Sequence, residues 1–139
     1  MTHPSPTTHA QLDQLLTGLV ERVAHVSHAV VLSEDGLVVS RSTAFRRDDA
    51  ERVAATASGL MSLSKGISTD VHGGPVRQAL IEMANGYLIL TSAGPGAHLV
   101  VLTGAGADVG VVAYQMNLLV KKIGEHLTAA PRRVAGPAV

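Results

Sequence analysis

The sequence predicts an α/β fold of the α+β kind: three helices covering both faces of one five-stranded antiparallel sheet, a three-layer α/β/α sandwich. Three features predict it. Amphipathic helical patterns open, interrupt and close the chain. Turns rich in Gly and Asn cut the remaining apolar stretches into pieces of strand length. Val30-Val-Leu32, Leu88-Ile-Leu90 and Leu99-Val-Val-Leu102 are apolar without alternation, which is how a strand covered on both faces reads.

Taken in order, His9 to Ala24 places Leu12, Leu15, Leu16, Leu19 and Val23 at helical spacing, with Gln11, Asp13, Gln14, Glu21 and Arg22 opposite. Ala29–Leu32 and Leu37–Ser40 flank the polar loop Ser33-Glu-Asp-Gly36 and form a hairpin. Asp48 with Glu51 three residues on is a capping-box pattern, opening a helix that continues to Gly66 or Ser68. Its broad apolar face, Val53, Ala57, Leu60, Met61, Leu63 and Ile67, is expected to cover the sheet, and Phe45 to act as a hydrophobic staple before the cap. Val76–Ala84, Tyr87–Ser92 and His98–Thr103 make a meander whose first turn is Asn85-Gly86, a strong hairpin signal. Asp108 opens the last helix, with Val109, Val112, Ala113, Met116, Val120, Ile123 and Leu127 in one stripe and Pro131 as its stop. The element order is α-β-β-α-β-β-β-α. The strands that turn polar, at Ser40-Arg-Ser42 and at Arg77, Gln78 and Glu82, belong at the edges, which gives the sheet order 2-1-5-4-3.

With 139 residues, 46% hydrophobic and 16% charged, the chain has material for one core. The domain is placed at residues 9–128, with residues 1–8 and 129–139 as disordered tails. Eleven basic residues balance eleven acidic ones, so no net field draws the chain to nucleic acid or to an anionic membrane. Phe45, Tyr87 and Tyr114 are the only aromatic residues, too few to stack bases or wall a flavin. The absence of Cys excludes thiol catalysis, disulfides and thiolate metal sites, and fits a reducing cytoplasm. Met1–Thr8 lacks the basic start and apolar run of a secretion signal. Met83–Ala107 carries no Asp, Glu, Lys or Arg, yet its Gly-containing turns make it buried strands rather than a membrane span.

Chemical motifs are weak. Leu102-Thr-Gly104-Ala-Gly106-Ala-Asp-Val-Gly110 resembles a dinucleotide loop superficially, but Val109 stands at the third glycine position and no second parallel strand follows. Gly59 to Lys65 lacks the second glycine of a P-loop. His25 and His28, the closest histidine pair, have no recognised metal-ligand spacing, and no nucleophile elbow accompanies Ser, His and Asp. Arg46 and Arg47 read as a solvated flank. No catalytic, cofactor-binding or metal residue is assigned.

Two features point to protein contacts instead. The second helix carries Ala55, Ser58, Gly59, Ser62 and Gly66 away from its apolar face, and a glycine inside a helix costs about 1 kcal/mol relative to alanine. Close packing of a second helix would offset that cost; a merely tolerant, solvent-exposed helix is the plain alternative. The edge strand, through Val76, Gln78, Leu80 and Glu82, has no internal proline, so its outer backbone could accept another strand.

The leading amphipathic helix, Glu34-Asp-Gly36, Asn85-Gly86-Tyr-Leu-Ile-Leu90 and Asp108-Val-Gly-Val-Val-Ala-Tyr-Gln-Met116, in this element order, resemble the Roadblock/dynein light-chain family over His9 to Thr128. The likeness is greatest to its actinobacterial branch, encoded in conservon-type clusters beside a sensor-kinase-like protein and a small Ras-like GTPase. The resemblance implies a profilin-like fold and a non-catalytic, homodimeric adaptor in the cytoplasm, reaching a membrane only through a partner. It further implies a small Ras-like GTPase and a sensor-kinase-like protein as partners, with the two second helices side by side and the edge strands joined. The rival reading is a small-molecule sensor with its pocket between sheet and helix.

Overall fold

The structure, a computed structural model, describes residues 6–135, with side chains for residues 9–126. Its elements are α1 (Pro6–Arg22), β1 (Val26–Ser33), β2 (Val38–Arg41), α2 (Arg47–Val71), β3 (Gln78–Met83), β4 (Gly86–Ser92), β5 (Ala97–Gly104) and α3 (Val109–Ala135). The five strands form one antiparallel sheet in the order β2-β1-β5-β4-β3, as the polarity of the two edges requires.

Each unbroken apolar run feeds two cores. In β1, Ala29 and Val31 point to one face and Val30 and Leu32 to the other; in β5, Leu99 and Val101 oppose Val100 in the same way. Helices α1 and α3 close the first face with Leu12, Leu16, Leu19 and Val23 from one and Val112, Met116, Leu119 and Ile123 from the other. Each fully buried Leu or Ile contributes about 1.5–3 kcal/mol. Helix α2 closes the second face through Ala50, Ala54, Ala57 and Met61, small side chains that let it lie close over Val30, Leu32, Leu90 and Val100.

Polar residues fix how the helices sit. Ser40 and Ser42, read as marking an edge strand, are buried although the strand does lie at the edge. Ser40 Oγ donates to Asp13 of α1 at 2.5 Å, and Ser42 Oγ accepts from the Ala29 amide at 3.0 Å, so their polarity answers internal partners rather than water. Thr17 of α1 accepts from the Thr43 amide at 3.0 Å.

Several expected details are corrected. No capping box forms, because α2 starts two residues early, at Arg47 with Arg46 as its N-cap, without a side-chain cap bond. Asp48 and Asp49 instead lie in the first turn, where acidic charge suits the helix dipole. Phe45 is buried with Ala50 in the α2 core, as a staple requires, and its ring stacks on His28 at 4.6 Å. Helix α2 continues to Val71, closed by left-handed His72 and by the Gly73 amide, which donates to the Ser68 carbonyl at 2.8 Å. The expected apolar faces shift as well: in α3 the buried line includes Leu119, while Leu127 lies outside the residues whose side chains are described. Val76 and Ala84 fall outside β3, whose pairing with β4 runs only from Gln78 to Met83.

Both terminal helices extend into stretches assigned to tails. Helix α1 begins at Pro6, since proline suits a first helical position, and α3 passes Pro131 to reach Ala135. Proline inside a helix forfeits one hydrogen bond without forbidding the turn. Residues 1–5 and 136–139 of those tails lie outside the described residues.

Candidate protein-interaction surface

The core-facing line of α2 stops at Met61. Beyond it the same line continues as Ser64 and Ser68, half-buried and turned back on the chain: Ser64 Oγ donates to the Leu60 carbonyl at 2.8 Å, and Ser68 Oγ donates to the Gly74 carbonyl. Leu63 and Ile67, expected on the sheet, therefore lie outside it. With Val71 they are 71%, 65% and 66% exposed. The geometric reason is width. An apolar set from Val53 to Ile67 spans more of the helix circumference than one sheet contact covers, and alanines, not the larger residues, take the inner line.

The small residues of α2 divide into two groups. Ala55 and Ser58 flank the β1–β2 turn, where a Cβ on Gly36 would meet Ser58 Cβ at 3.0 Å and Ala55 Cα at 3.3 Å. Ser58 Oγ also donates to the Glu34 carbonyl at 2.8 Å. Close backbone approach is thus satisfied within the protomer at this end. Gly59 and Gly66 have no atom within 4 Å of a Cβ built on them, and Ser62 is exposed. Gly59, Leu63 and Gly66 recur at helical spacing along the side opposite the core: one large apolar side chain between two bare stretches of backbone.

Among the described residues, strand β3 lies at the sheet edge, hydrogen-bonded to β4 alone. Its register puts Gln78, Leu80 and Glu82 opposite Thr91, Ile89 and Tyr87, toward the α1/α3 face. Ala79, Ile81 and Met83 lie on the α2 face, and Leu80, Ile81 and Met83 are exposed. Val76, just before the strand, is half-buried against the α2 core. Leu60, Ile67, Val71, Val76, Ala79 and Ile81 line a groove between the second half of α2 and this strand. Of the two sets expected from the sequence, Gly59 and Gly66 of α2 and Val76 before β3 adjoin this surface, whereas Ala55 and Ser58 sit against the first hairpin and Gln78, Leu80 and Glu82 point to the α1/α3 side of the sheet. Sequence reasoning missed its apolar members, Leu63, Ile67, Val71, Ile81 and Met83. The excess width of the α2 stripe was the available signal.

At the other side of α2 a polar node holds the first hairpin in place. Glu34 Oε1 lies 2.7 Å from Nε2 of buried His98 and 3.4 Å from Lys65 Nζ. The hydrogen bond to His98, aided by the Lys65 charge, holds the Glu34 carboxyl below the usual carboxylate range against an opposing desolvation. The remaining ring nitrogen of His98 is buried without a partner among the described residues.

His25 and His28 diverge. The His25 ring abuts Gly106 on the β5–α3 turn, within 3.0 Å of where a Cβ would stand, so that glycine serves close packing and not a phosphate. Among the described residues, no three His, Asp or Glu side chains gather as a metal-holding group, and no helix is long and apolar enough to cross a membrane.

Comparison with known proteins agrees with this architecture. The family model described as the Roadblock/LC7 domain matches residues 12–103. A crystal structure of the Roadblock/LC7 domain from Streptomyces avermitilis is 76% identical over 83% of this chain and 100% of its own, with a TM-score of 0.70. Two remoter structures share the fold alone. The gliding protein MglB of Thermus thermophilus is 12% identical, with TM-score 0.79, over 89% of this chain and 93% of its own. Acanthamoeba castellanii profilin IA is 16% identical, with TM-score 0.53, over 84% and 97%.

Proposed function

Since the chain belongs to the Roadblock/LC7 family, we propose that it is a non-catalytic homodimeric adaptor that binds a small Ras-like GTPase and regulates its cycle within a signalling complex. A sensor-kinase-like protein is its further partner, and any membrane recruitment comes through a partner. One observation carries the dimer: the outward line Gly59, Leu63, Gly66 adjoins a groove whose far wall is an open strand edge. Across a two-fold axis, Leu63 of each protomer would seat against the bare backbone at Gly59 or Gly66 of the other, and the two β3 edges would pair into one ten-stranded sheet. Burial of Leu63, Ile67 and Val71 supplies the driving force, at roughly 25 cal/mol per Å² of apolar surface removed from water.

The adaptor would offer a preformed surface and contribute no bond-making group. Any effect on hydrolysis would come from preferring one nucleotide state of the GTPase, a population shift that needs unequal affinity for the two states. A small-molecule sensor would need room between sheet and helix; the middle of that space is filled by Leu16, Leu99 and Met116 on one face and Val30, Leu90 and Met61 on the other, and the cleft of about 820 Å³ between the end of α2 and His98 opens to solvent.

The dimer is tested by light scattering on Leu63→Glu and Gly59→Leu, positions where neither substitution disturbs the core. Both should yield folded monomers, and a folded Leu63→Glu protein still of dimer mass refutes the seam. Titration with a small Ras-like GTPase from the same source cell, loaded with GDP or a GTP analogue, tests the partner. A stronger complex with one state is expected, equal affinity reduces the role to a scaffold, and no complex with either ends the GTPase reading.

A further inference from the structure

The two edges of the sheet, β2 and β3, differ in what lies against them. Ser42, just after β2, donates its amide to the Ala29 carbonyl at 2.9 Å. In an antiparallel pair successive residues turn their backbone groups to opposite sides, so the amides of Arg41 and Thr43 point away from β1. These are groups that an incoming strand would need, and helix α1 holds both. Asp13 Oδ1 accepts from the Arg41 amide at 3.2 Å, and Thr17 Oγ1 accepts from the Thr43 amide at 3.0 Å. Among the described residues, no helix side chain bonds to the β3 backbone in this way.

The cover is fixed from beneath. Asp13 and Thr17 stand four residues apart on one side of α1, each next to a leucine, Leu12 or Leu16, that is buried in the core. Both acceptors are held in place by a further bond. Ser40 Oγ donates to the same Asp13 oxygen at 2.5 Å, and the Thr17 and Thr43 hydroxyls lie 2.9 Å apart. Along the rest of β2, Arg47 and Glu51 border a polar cleft of about 280 Å³, where a strand would have to strip water from charges of both signs.

A sheet with two open edges can add copies at both without limit. A sheet with one open edge, paired to its own symmetry mate, closes at two. We propose that Asp13 and Thr17 of α1 seal the β2 edge, so that strand pairing is left to β3 and growth of the sheet stops at two copies. The limit of two rests on the dimer proposed above, whereas the seal itself does not.

Amide exchange followed by NMR in dilute solution tests the seal directly. In the parent, the Arg41 and Thr43 amides should exchange more slowly than that of Asp35, an exposed turn residue, by about tenfold or more. In Asp13→Ala/Thr17→Val both should approach the Asp35 rate, with the circular dichroism of the parent. Asp13→Asn keeps a side-chain oxygen that accepts, so it should keep the Arg41 amide slow. Should the double variant lose the parent's circular dichroism, Thr17→Val alone is read at the Thr43 amide.

Light scattering tests the consequence. With rising concentration the double variant should grow past the mass of the parent. Added to Leu63→Glu, the double substitution should restore an association, through β2, that Leu63→Glu alone lacks. A Leu63→Glu protein of parental mass would refute the α2 seam and with it the limit of two, and the exchange rates would still decide on the seal. Arg41 and Thr43 amides as fast as Asp35 in the parent would overturn the seal. A folded double variant with fast amides and the parent's mass at every concentration would overturn its role in limiting assembly.

Discussion

Glycines of similar appearance in the sequence carry opposite consequences at the residue scale. A Cβ on Gly86 would stand 2.0 Å from the Thr103 carbonyl oxygen, because β4 passes β5 closely there, whereas a Cβ on Gly59 meets nothing. Gly86→Ala should therefore destabilise the protein by more than about 2 kcal/mol through forced separation of the strands. Gly59→Ala should raise helix stability by up to about 1 kcal/mol. Urea unfolding of the two variants checks both signs. Glu34 gives a pH-dependent counterpart. Its carboxyl is held below its unfolded range by the His98 hydrogen bond and then by Lys65, so its contribution is present above the ordinary glutamate range and is lost as pH falls through the lowered value. Glu34→Gln should cost at most about 1 kcal/mol near neutral pH, since the side chain is half exposed. Thermal unfolding of parent and variant should converge once the pH has fallen below the lowered value of the Glu34 carboxyl. A gap that widens on acidification would exclude this role for the carboxylate.

Helix α2 shows, at the element scale, what a sequence discloses and what it withholds. Its existence was legible from the apolar period, and so was the sheet order, although only Arg77, Gln78 and Glu82 mark a strand with an open side, the polarity of Ser40 and Ser42 answering internal partners instead. The rotation of α2 was not legible. Leu63 and Ile67 are as apolar as Met61, and only the position of the sheet decides which of them it covers. Nor was the helix end, because the chain stops on His72 in the left-handed region, φ 56°, with Gly73 following, where glycine first would be the ordinary signal. Of the candidate interface, the small residues and the strand edge could be read directly. Its apolar rim could not, because it consists of side chains that sequence logic assigns to a core. The strained cap makes a prediction of its own: His72→Gly should stabilise the protein by about 1 kcal/mol by relieving a conformation that L-residues disfavour. A lowered midpoint in thermal unfolding would mean that the His72 side chain makes a compensating contact.

For the whole molecule, the sandwich leaves two apolar zones on opposite outer sides, around Leu63 with Ile67 and around Tyr114 with Leu118. A filled core on each face stabilises the protomer, so these exposed side chains contribute little until another surface covers them. Association should then appear as concentration-dependent stability, because copies that pair only when folded pull the equilibrium toward the native state. For a dimer, a tenfold rise in concentration is worth about 1.4 kcal/mol. Set against an unfolding entropy of about 2.1 cal/mol/K per residue over both chains, that shifts the midpoint by roughly 2–3 °C per decade. Leu63→Glu should flatten this dependence, because it removes the apolar surface that the α2 seam would bury. A midpoint independent of concentration in the parent protein, measured from dilute solution upward, would mean that the zone around Leu63 is not covered by a second copy.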